Sequence, residues 1–272
     1  MKYLKNKVAV ITGAGSGIGR ALAIKLADEG CHLALSDINK IGLEETVSII
    51  ITSSKTDNSK NISSHVLDVA NQEEVYQHAD DVIAIHKHVD LLFNNAGVAA
   101  KNRLENMPYE DFEWVININM WGVVYGTKAF LPYLKQRPEA HIANIASINS
   151  MLGFPENGPY TMSKYAVQAF TETLIQEYMG TNLHVSSVHP GGIRTCIASS
   201  TRNIKQKEAE TFSKIAATSP EKAAKTIIKG IKRNKEKIFV GPDAVFMQLL
   251  KRLFPNASVR LTGHLINKTM NT

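Results

Sequence analysis

The chain has 272 residues, 44% of them hydrophobic, and a net charge of +6. That is enough for one sizeable α/β domain, and no apolar run approaches the roughly 18 residues that would suggest a membrane span. Two distant cysteines, Cys31 and Cys196, give no sign of a disulfide framework or zinc cluster. Together with an N-terminus (MKYLKNKVAVITG) that lacks a signal-peptide layout, they fit a reducing, cytoplasmic compartment.

VAVIT (8–12) predicts a first strand that runs into glycines, and IGRALAIKLADEG (18–30) a helix stopped by Gly30. HLALSD (32–37) reads as a second strand, 41–53 as a helix, ISSHVLD (62–68) as a third strand and 71–87 as a helix. VDLLFNN (89–95) is a fourth strand, 108–136 a long helical pattern, and HIANIAS (141–147) a fifth strand. A helix over 158–179 closes at Gly180, and LHVSSVHP (183–190) is a sixth strand. After a variable stretch and a helix over 220–233, KIFVG (237–241) is a seventh strand, and KTDNSKN (55–61) reads as a polar surface loop. Alternating strands and helices, with near-continuous apolar strands, predict a parallel sheet covered by helices on both faces, in one doubly wound domain.

The charge is uneven. Residues 1–200 hold 16 Lys/Arg against 20 Asp/Glu, residues 201–240 hold 11 against 4, and residues 241–272 hold 4 against 1. A basic last quarter suits solvated helix faces or an anionic partner, but no aromatic-interleaved basic motif supports nucleic-acid binding.

TGAGSGIG (12–19) lies between the first strand and the first helix, the context in which a glycine loop cradles a pyrophosphate at a helix N-terminus. Asp37 ends the second strand, 18 residues past Gly19, where a carboxylate accepts both ribose hydroxyls and repels a 2′-phosphate. Ile38 follows it and Ser16 sits in the loop, so neither position offers a basic partner to such a phosphate; NAD is expected over NADP. Further on, GPYTMSK (158–164) puts Tyr160 and Lys164 one turn apart on one helix face. A cation there is expected to pull the tyrosine below its usual value of about 10 and fit it for proton transfer.

These motifs together resemble the short-chain dehydrogenase/reductase family over residues 5–241. TGxxxGxG matches at Thr12, Gly13, Gly17 and Gly19; NNAG matches at Asn94, Asn95, Ala96 and Gly97; Asp68-Val69 matches the acidic pair at the adenine. Ser147 stands thirteen residues before Tyr160, and Pro190-Gly191 with Ile193 and Thr195 fits PGxxxT. The resemblance implies a Rossmann-type fold with Tyr160 as general acid/base and Lys164 assisting it and binding the nicotinamide ribose. It also implies Ser147 as donor to the substrate oxygen, and an asparagine linking Lys164 to solvent. NMWG assigns that asparagine to Asn119, with Asn117 as a structural neighbour. The cofactor set it implies is Gly13, Ser16, Gly17, Ile18, Gly19, Asp37, Asp68, Val69, Asn95, Ala96, Gly97, Tyr160, Lys164, Pro190, Gly191, Ile193 and Thr195, with no metal.

The expected reaction is NAD-dependent hydride transfer between a secondary alcohol and its ketone. An NADPH-dependent carbonyl or 3-oxoacyl reductase, and a catalytically silent dinucleotide sensor, are the rivals. Ile193, Ile197, Ile204 and Phe212 in the substrate loop (about 191–218), with Met151, Leu152, Phe154 and Pro155 beyond Ser147, point to a lipophilic substrate. His189 is expected to be a strand-end histidine, Cys196 to lack a catalytic role, and His65, His86 and His88 to lack a metal-ligand arrangement. Residues 1–241 form the catalytic domain and 242–272 a helical extension of it. In that tail Val245, Phe246, Leu249, Leu250 and Leu253 form one apolar stripe. Val259, Leu261, Leu265 and Ile266 follow after Pro255-Asn256, with Lys251, Arg252, Arg260 and Lys268 among them. The stripe is expected to pack on its own domain or on a sister subunit of a homodimer or homotetramer. Roofing the pocket and lying on an anionic membrane are the other two readings.

Overall fold

The computed structural model describes residues 1–53 and 61–270, with the side chains of 213 and 265–270 excepted. Six residues of the polar loop expected at 55–61 therefore lie outside the described residues. So do the side chains of Leu265, Ile266 and Lys268.

Seven strands are present: β1 Val8–Thr12, β2 His32–Asp37, β3 Ile62–Val66, β4 Leu91–Asn94, β5 Ala140–Ile145, β6 Leu183–Pro190 and β7 Lys237–Val240. They form one parallel sheet in the order β3-β2-β1-β4-β5-β6-β7. The connecting helices are α1 Gly17–Asp28, α2 Lys40–Ser53, α3 Gln72–His86, α4 Tyr109–Ile116, α5 Gly122–Leu134, α6 Gly158–Glu177, α7 Gln206–Ile215 and α8 Pro220–Ile231. Two more, α9 Pro242–Leu253 and α10 Pro255–Met270, follow the last strand.

Strand alternation builds the two cores. Ala9 and Ile11 of β1, Phe93 of β4 and Val188 of β6 face the layer of α1, α2 and α8, where Leu22, Leu26, Ile50, Ile227 and Ile228 are buried. Val8 and Val10, Leu92 and Ile142 face the opposite layer, with Val82, Phe130, Leu134 and Leu174 from α3, α5 and α6. The inner strands β1, β4 and β5 are buried on both faces, which is why they read as near-continuous apolar runs, while the edge strand β3 stays partly exposed. The chain leaves the β3 edge and returns beside β1 as β4, so the order reverses between β1 and β4. The crevice at the carboxyl ends of these two strands is where such sheets take ligands.

The long helix expected over 108–136 is continuous but not uniform. Between α4 and α5, residues Asn117–Trp121 form a π turn, which widens the helix by one residue per turn and marks functional sites in many helices. The apolar period of the segment carries no trace of it. In addition, α7 forms inside the stretch read as variable, on an amphipathic pattern with Ala209 buried.

Candidate active site

At the end of β1 the chain enters the glycine loop. Gly17 takes φ +53, a conformation costly for any side chain, and a Cβ there would stand 3.2 Å from Thr195. A Cβ on Gly19 would meet the Gly13 carbonyl at 2.0 Å, so only glycine lets α1 start this close to β1. Ser16 is the N-cap of α1; it is exposed, and its hydroxyl makes no capping bond. The free N–H groups of a helix start, an uncommitted hydroxyl and the close-packed backbone fit a pyrophosphate.

The loop is tied from two sides. Asn95 donates from Nδ2 to the Thr12 and Gly13 carbonyls at 2.9 and 3.1 Å, while the Thr12 hydroxyl accepts from the N–H groups of Asn95 and Ala96 at 3.0 and 3.1 Å. Asp37 accepts from the Gly15 N–H at 2.8 Å with one oxygen and from the Asn39 N–H at 2.8 Å with the other, which holds its carboxylate against the loop. Arg20 commits its guanidinium to structure: it donates to the Gly15 and Gly42 carbonyls, the Thr46 hydroxyl and the Glu45 carboxylate. Ile38 is exposed beside Asp37. Just after β3, the Asp68 carboxylate accepts from the Ala70 N–H at 2.9 Å, and the adjoining Val69 is buried.

On the β4–β6 side, Ser147 follows β5 and caps the short Ile148–Ser150 turn, its Oγ accepting from the Asn149 N–H at 3.1 Å. Tyr160 enters from the first turn of α6 and packs half-buried against the cluster of Ala100, Met107 and Val115. Burial pushes its phenol up, and the Ser147 hydroxyl pulls it partly back. Lys164 is buried and donates to the Ile145 carbonyl at 2.8 Å; burial lowers its pKa to about 8. Its Nζ stands 5.7 Å from the centre of the Tyr160 ring. The ammonium is anchored on a carbonyl, and desolvation is the largest influence on the phenol in the chain alone.

Asn119 is fully buried within the π turn. Its Oδ1 accepts from the Val98 N–H at 2.8 Å, and its Nδ2 donates to the Val98 carbonyl at 2.9 Å and to Ser163 Oγ at 3.0 Å. Ser163 in turn donates to the Tyr160 carbonyl at 2.8 Å. A Cβ on Gly97 would lie 3.3 Å from Asn119 Oδ1 and 3.4 Å from Lys164 Nζ, so the loop after β4 passes between them. Asn119, Ser147, Tyr160 and Lys164 thus converge at one end of the sheet, beside Gly97. Pro190 and Gly191 close the other side, where the Gly191 N–H donates to Val240 at 2.9 Å, with Ile193 buried and Thr195 above Gly17.

Several residues of this region carried no signal in the sequence. Ser163 is one, though its position three after Tyr160 puts it on the same helical face. Ser150 Oγ bonds to the Ser147 carbonyl at 2.5 Å and to His189 Nδ1 at 2.9 Å, so His189 is a buried support of the serine turn rather than a bare strand end. Burial lowers its pKa to about 4, and it stays neutral. The segment 191–218 is clasped twice. Arg202 stacks 3.6 Å over Trp114 and donates to Asp111 at 3.0 Å, while Lys101 bridges Glu156 at 3.2 Å and Glu208 of α7 at 2.7 Å.

The parallel sheet thus carries a glycine loop on one side of its switch point and Tyr160 beside a buried Lys164 on the other. Residues 7–206 match the family model described as short chain dehydrogenase, and the chain belongs to that family, whose members act on CH–OH groups. It is 39% identical over 270 residues to the oxidoreductase SadH of Mycobacterium tuberculosis, covering 97% of this chain and 96% of that protein. It is 32% identical to the 3-oxoacyl-[acyl-carrier-protein] reductase FabG of Thermotoga maritima, over 76% of this chain and 81% of that one. A crystal structure of a short chain dehydrogenase/reductase from Burkholderia phymatum in complex with NAD superimposes with a TM-score of 0.85, at 31% identity. That match covers 93% of this chain and 95% of the other.

Proposed function

We propose that this protein uses NAD to interconvert a lipophilic secondary alcohol and its ketone, with Tyr160 as the general acid/base. The observation that carries the reading is the convergence of Ser147, Tyr160, Lys164 and Asn119 next to Gly97 and across from the glycine loop. When bound, a nicotinamide supplies or accepts the hydride. The chain does the rest. Tyr160 takes the hydroxyl proton in oxidation and returns it in reduction, and Ser147 donates a hydrogen bond to the same oxygen, where charge develops. Lys164, buried and held by Ile145, is aimed at the nicotinamide ribose, and Asn119 fixes the Gly97–Val98 backbone that borders it.

The glycine loop with Ser16, Ile18 and Thr195 would hold the pyrophosphate, Asp68 and Val69 the adenine, and Asn95, Ala96, Gly97, Pro190, Gly191 and Ile193 the nicotinamide half. Asp37, fixed against Gly15, favours ribose hydroxyls over a 2′-phosphate, which supports NAD over NADP. The likeness to FabG supports one alternative, an NADPH-dependent 3-oxoacyl or carbonyl reductase. A silent dinucleotide sensor would have no need of this filled and supported tetrad.

The substrate pocket is proposed between Met151, Leu152 and Phe154 on one side and Ile197, Ile204 and Phe212 on the other, with residues 1–241 as the catalytic unit. Free Cys31 and Cys196 support a cytoplasmic setting. Exposed Trp121 of the π turn and exposed Met162 and Tyr165 of the adjoining α6 support a homodimer or homotetramer. A panel of secondary alcohols, hydroxysteroids and hydroxyacyl chains, each with NAD and with NADP and read at the reduced-nicotinamide absorbance, tests the reading. Turnover of a lipophilic secondary alcohol with NAD is the expected result. No turnover on the panel, or higher efficiency with NADP, contradicts it.

A further inference from the structure

Four of the five residues of the apolar stripe expected in α9 point away from the body of the protein, so of the two packing partners expected for it, its own domain does not cover them; Leu250 is half-buried. α9 turns the fully buried Ala244 inward, and its Asp243 carboxylate accepts from the Gly192 N–H at 2.5 Å. α9 meets β7 and the Ile148–Ser150 turn, with Met247 and Leu250 half-buried. Val245, Phe246, Leu249 and Leu253 are left 45%, 63%, 48% and 67% exposed. α10 repeats the inversion. Ser258 and Thr262, one turn apart, are buried with their hydroxyls bonded to the Pro255 and Ser258 carbonyls, while Val259 and Leu261 are about half exposed. Phe254, at the junction of the two helices, is 55% exposed. Exposed apolar side chains concentrated on two consecutive helices point to an interaction site.

Charge selects the occupant. From Ala244 to Thr272 the sequence has four Lys/Arg and no Asp or Glu, and Arg252 and Arg260 are exposed on the same two helices. A second copy related by a two-fold axis would set this cationic patch against itself, which like charges oppose. An anionic bilayer takes both features at once, apolar side chains at the acyl boundary and cations among the headgroups. Among the described residues no helix is long and apolar enough to cross a membrane, so the pair would lie on the surface.

We propose that α9 and α10 form a peripheral docking surface for an anionic phospholipid bilayer. Because α9 is tied to Gly192 and rests on the turn after Ser147, docking would bring the substrate end of the sheet to the lipid surface. That consequence rests on the lipophilic-alcohol reading; the docking itself does not.

Flotation of the full chain with phosphatidylcholine vesicles, with and without phosphatidylglycerol, tests the proposal without any activity readout. Binding to the anionic vesicles at low salt and release at high salt are expected. Arg252→Glu with Arg260→Glu should weaken it roughly tenfold or more, and Phe246→Glu with Leu249→Glu should abolish it. Stabilisation by NAD equal to wild type would show that both variants are folded. Three results would overturn the proposal. They are no vesicle binding, binding unchanged in both variants, and a wild-type oligomer that ignores vesicles yet dissociates in the Phe246→Glu, Leu249→Glu variant.

Discussion

On the β1–β2 side of the switch point, the groups facing a ligand are mostly backbone. The Gly13–Gly19 turn and the start of α1 do the work there, with Asp37 and Asn95 holding the loop through N–H and carbonyl contacts. On the β4–β6 side they are side chains: Asn119, Ser163, Ser147, Tyr160 and Lys164, supported from below by Ser150 and His189. Backbone geometry leaves room for only one residue type at a few positions. A side-chain network depends on partners far apart in the chain, and fails when one member is removed. The two sides should therefore break differently.

The largest effect is expected at Gly19. A methyl there meets a carbonyl at 2.0 Å, so Gly19→Ala must displace either α1 or the Gly13 turn. Overpacking of this kind costs about 1–3 kcal/mol or more. NAD should no longer raise the melting temperature of this variant, and a normal NAD-induced shift would show that the loop tolerates the methyl. Asn119→Leu tests the other side. It strands the Val98 N–H and carbonyl, at about 1–3 kcal/mol for each buried group left unpaired, and takes one donor from the Ser163 hydroxyl, which keeps its bond to the Tyr160 carbonyl. Here kcat should fall more than NAD affinity, and the reverse ranking would dissolve the distinction between the two sides.

A smaller shift is expected from Asp37→Ala with Ile38→Arg. The change removes a carboxylate that repels a 2′-phosphate and adds a guanidinium able to bind one. At about 1.5–3 kcal/mol for a charge-assisted bond, the ratio of kcat/KM for NADP over NAD should rise roughly tenfold to a hundredfold. An unchanged ratio would remove Asp37 from cofactor choice.

A further effect is a pH dependence that draws on α3 and on β5 and β6 alike. Burial depresses His78 and His141 to about 3, and His86 and His189 to about 4, from an ordinary 6.5. Between these values and 6.5 the unfolded chain binds more protons than the folded one. Their contribution to stability is therefore complete above pH 6.5 and is lost as pH falls toward 4 and 3. Melting temperature should decline steadily over that window, less so in His141→Asn. A flat profile from pH 6.5 to 4 would contradict the burial of these rings.

How much of this was legible in the sequence follows the same division. Gly17, Gly19 and Asp37 could be read from the chain because each answers to a local constraint, a turn, a close approach or a strand end. Tyr160 and Lys164 could be read because one helical turn joins them. The π turn around Asn119 leaves the apolar period almost untouched, so the segment read as one regular helix. Ser163, Ser150 and the Lys101–Glu156–Glu208 clasp depend on contacts between distant segments, which no spacing encodes. The tail shows the opposite failure. Its stripe was plain in the sequence, but periodicity tells only that an apolar face exists, not which way it turns.

The central claim is that Tyr160 carries the proton at a site that binds the cofactor independently of it. The direct measurement is kcat for alcohol oxidation by Tyr160→Phe, alongside NAD affinity from the NAD-induced shift in melting temperature. The ring is retained and only the hydroxyl is lost. The expected result is a fall in kcat on the order of a hundredfold to ten-thousandfold, with NAD affinity close to wild type. A variant that keeps most of the wild-type kcat would contradict the account.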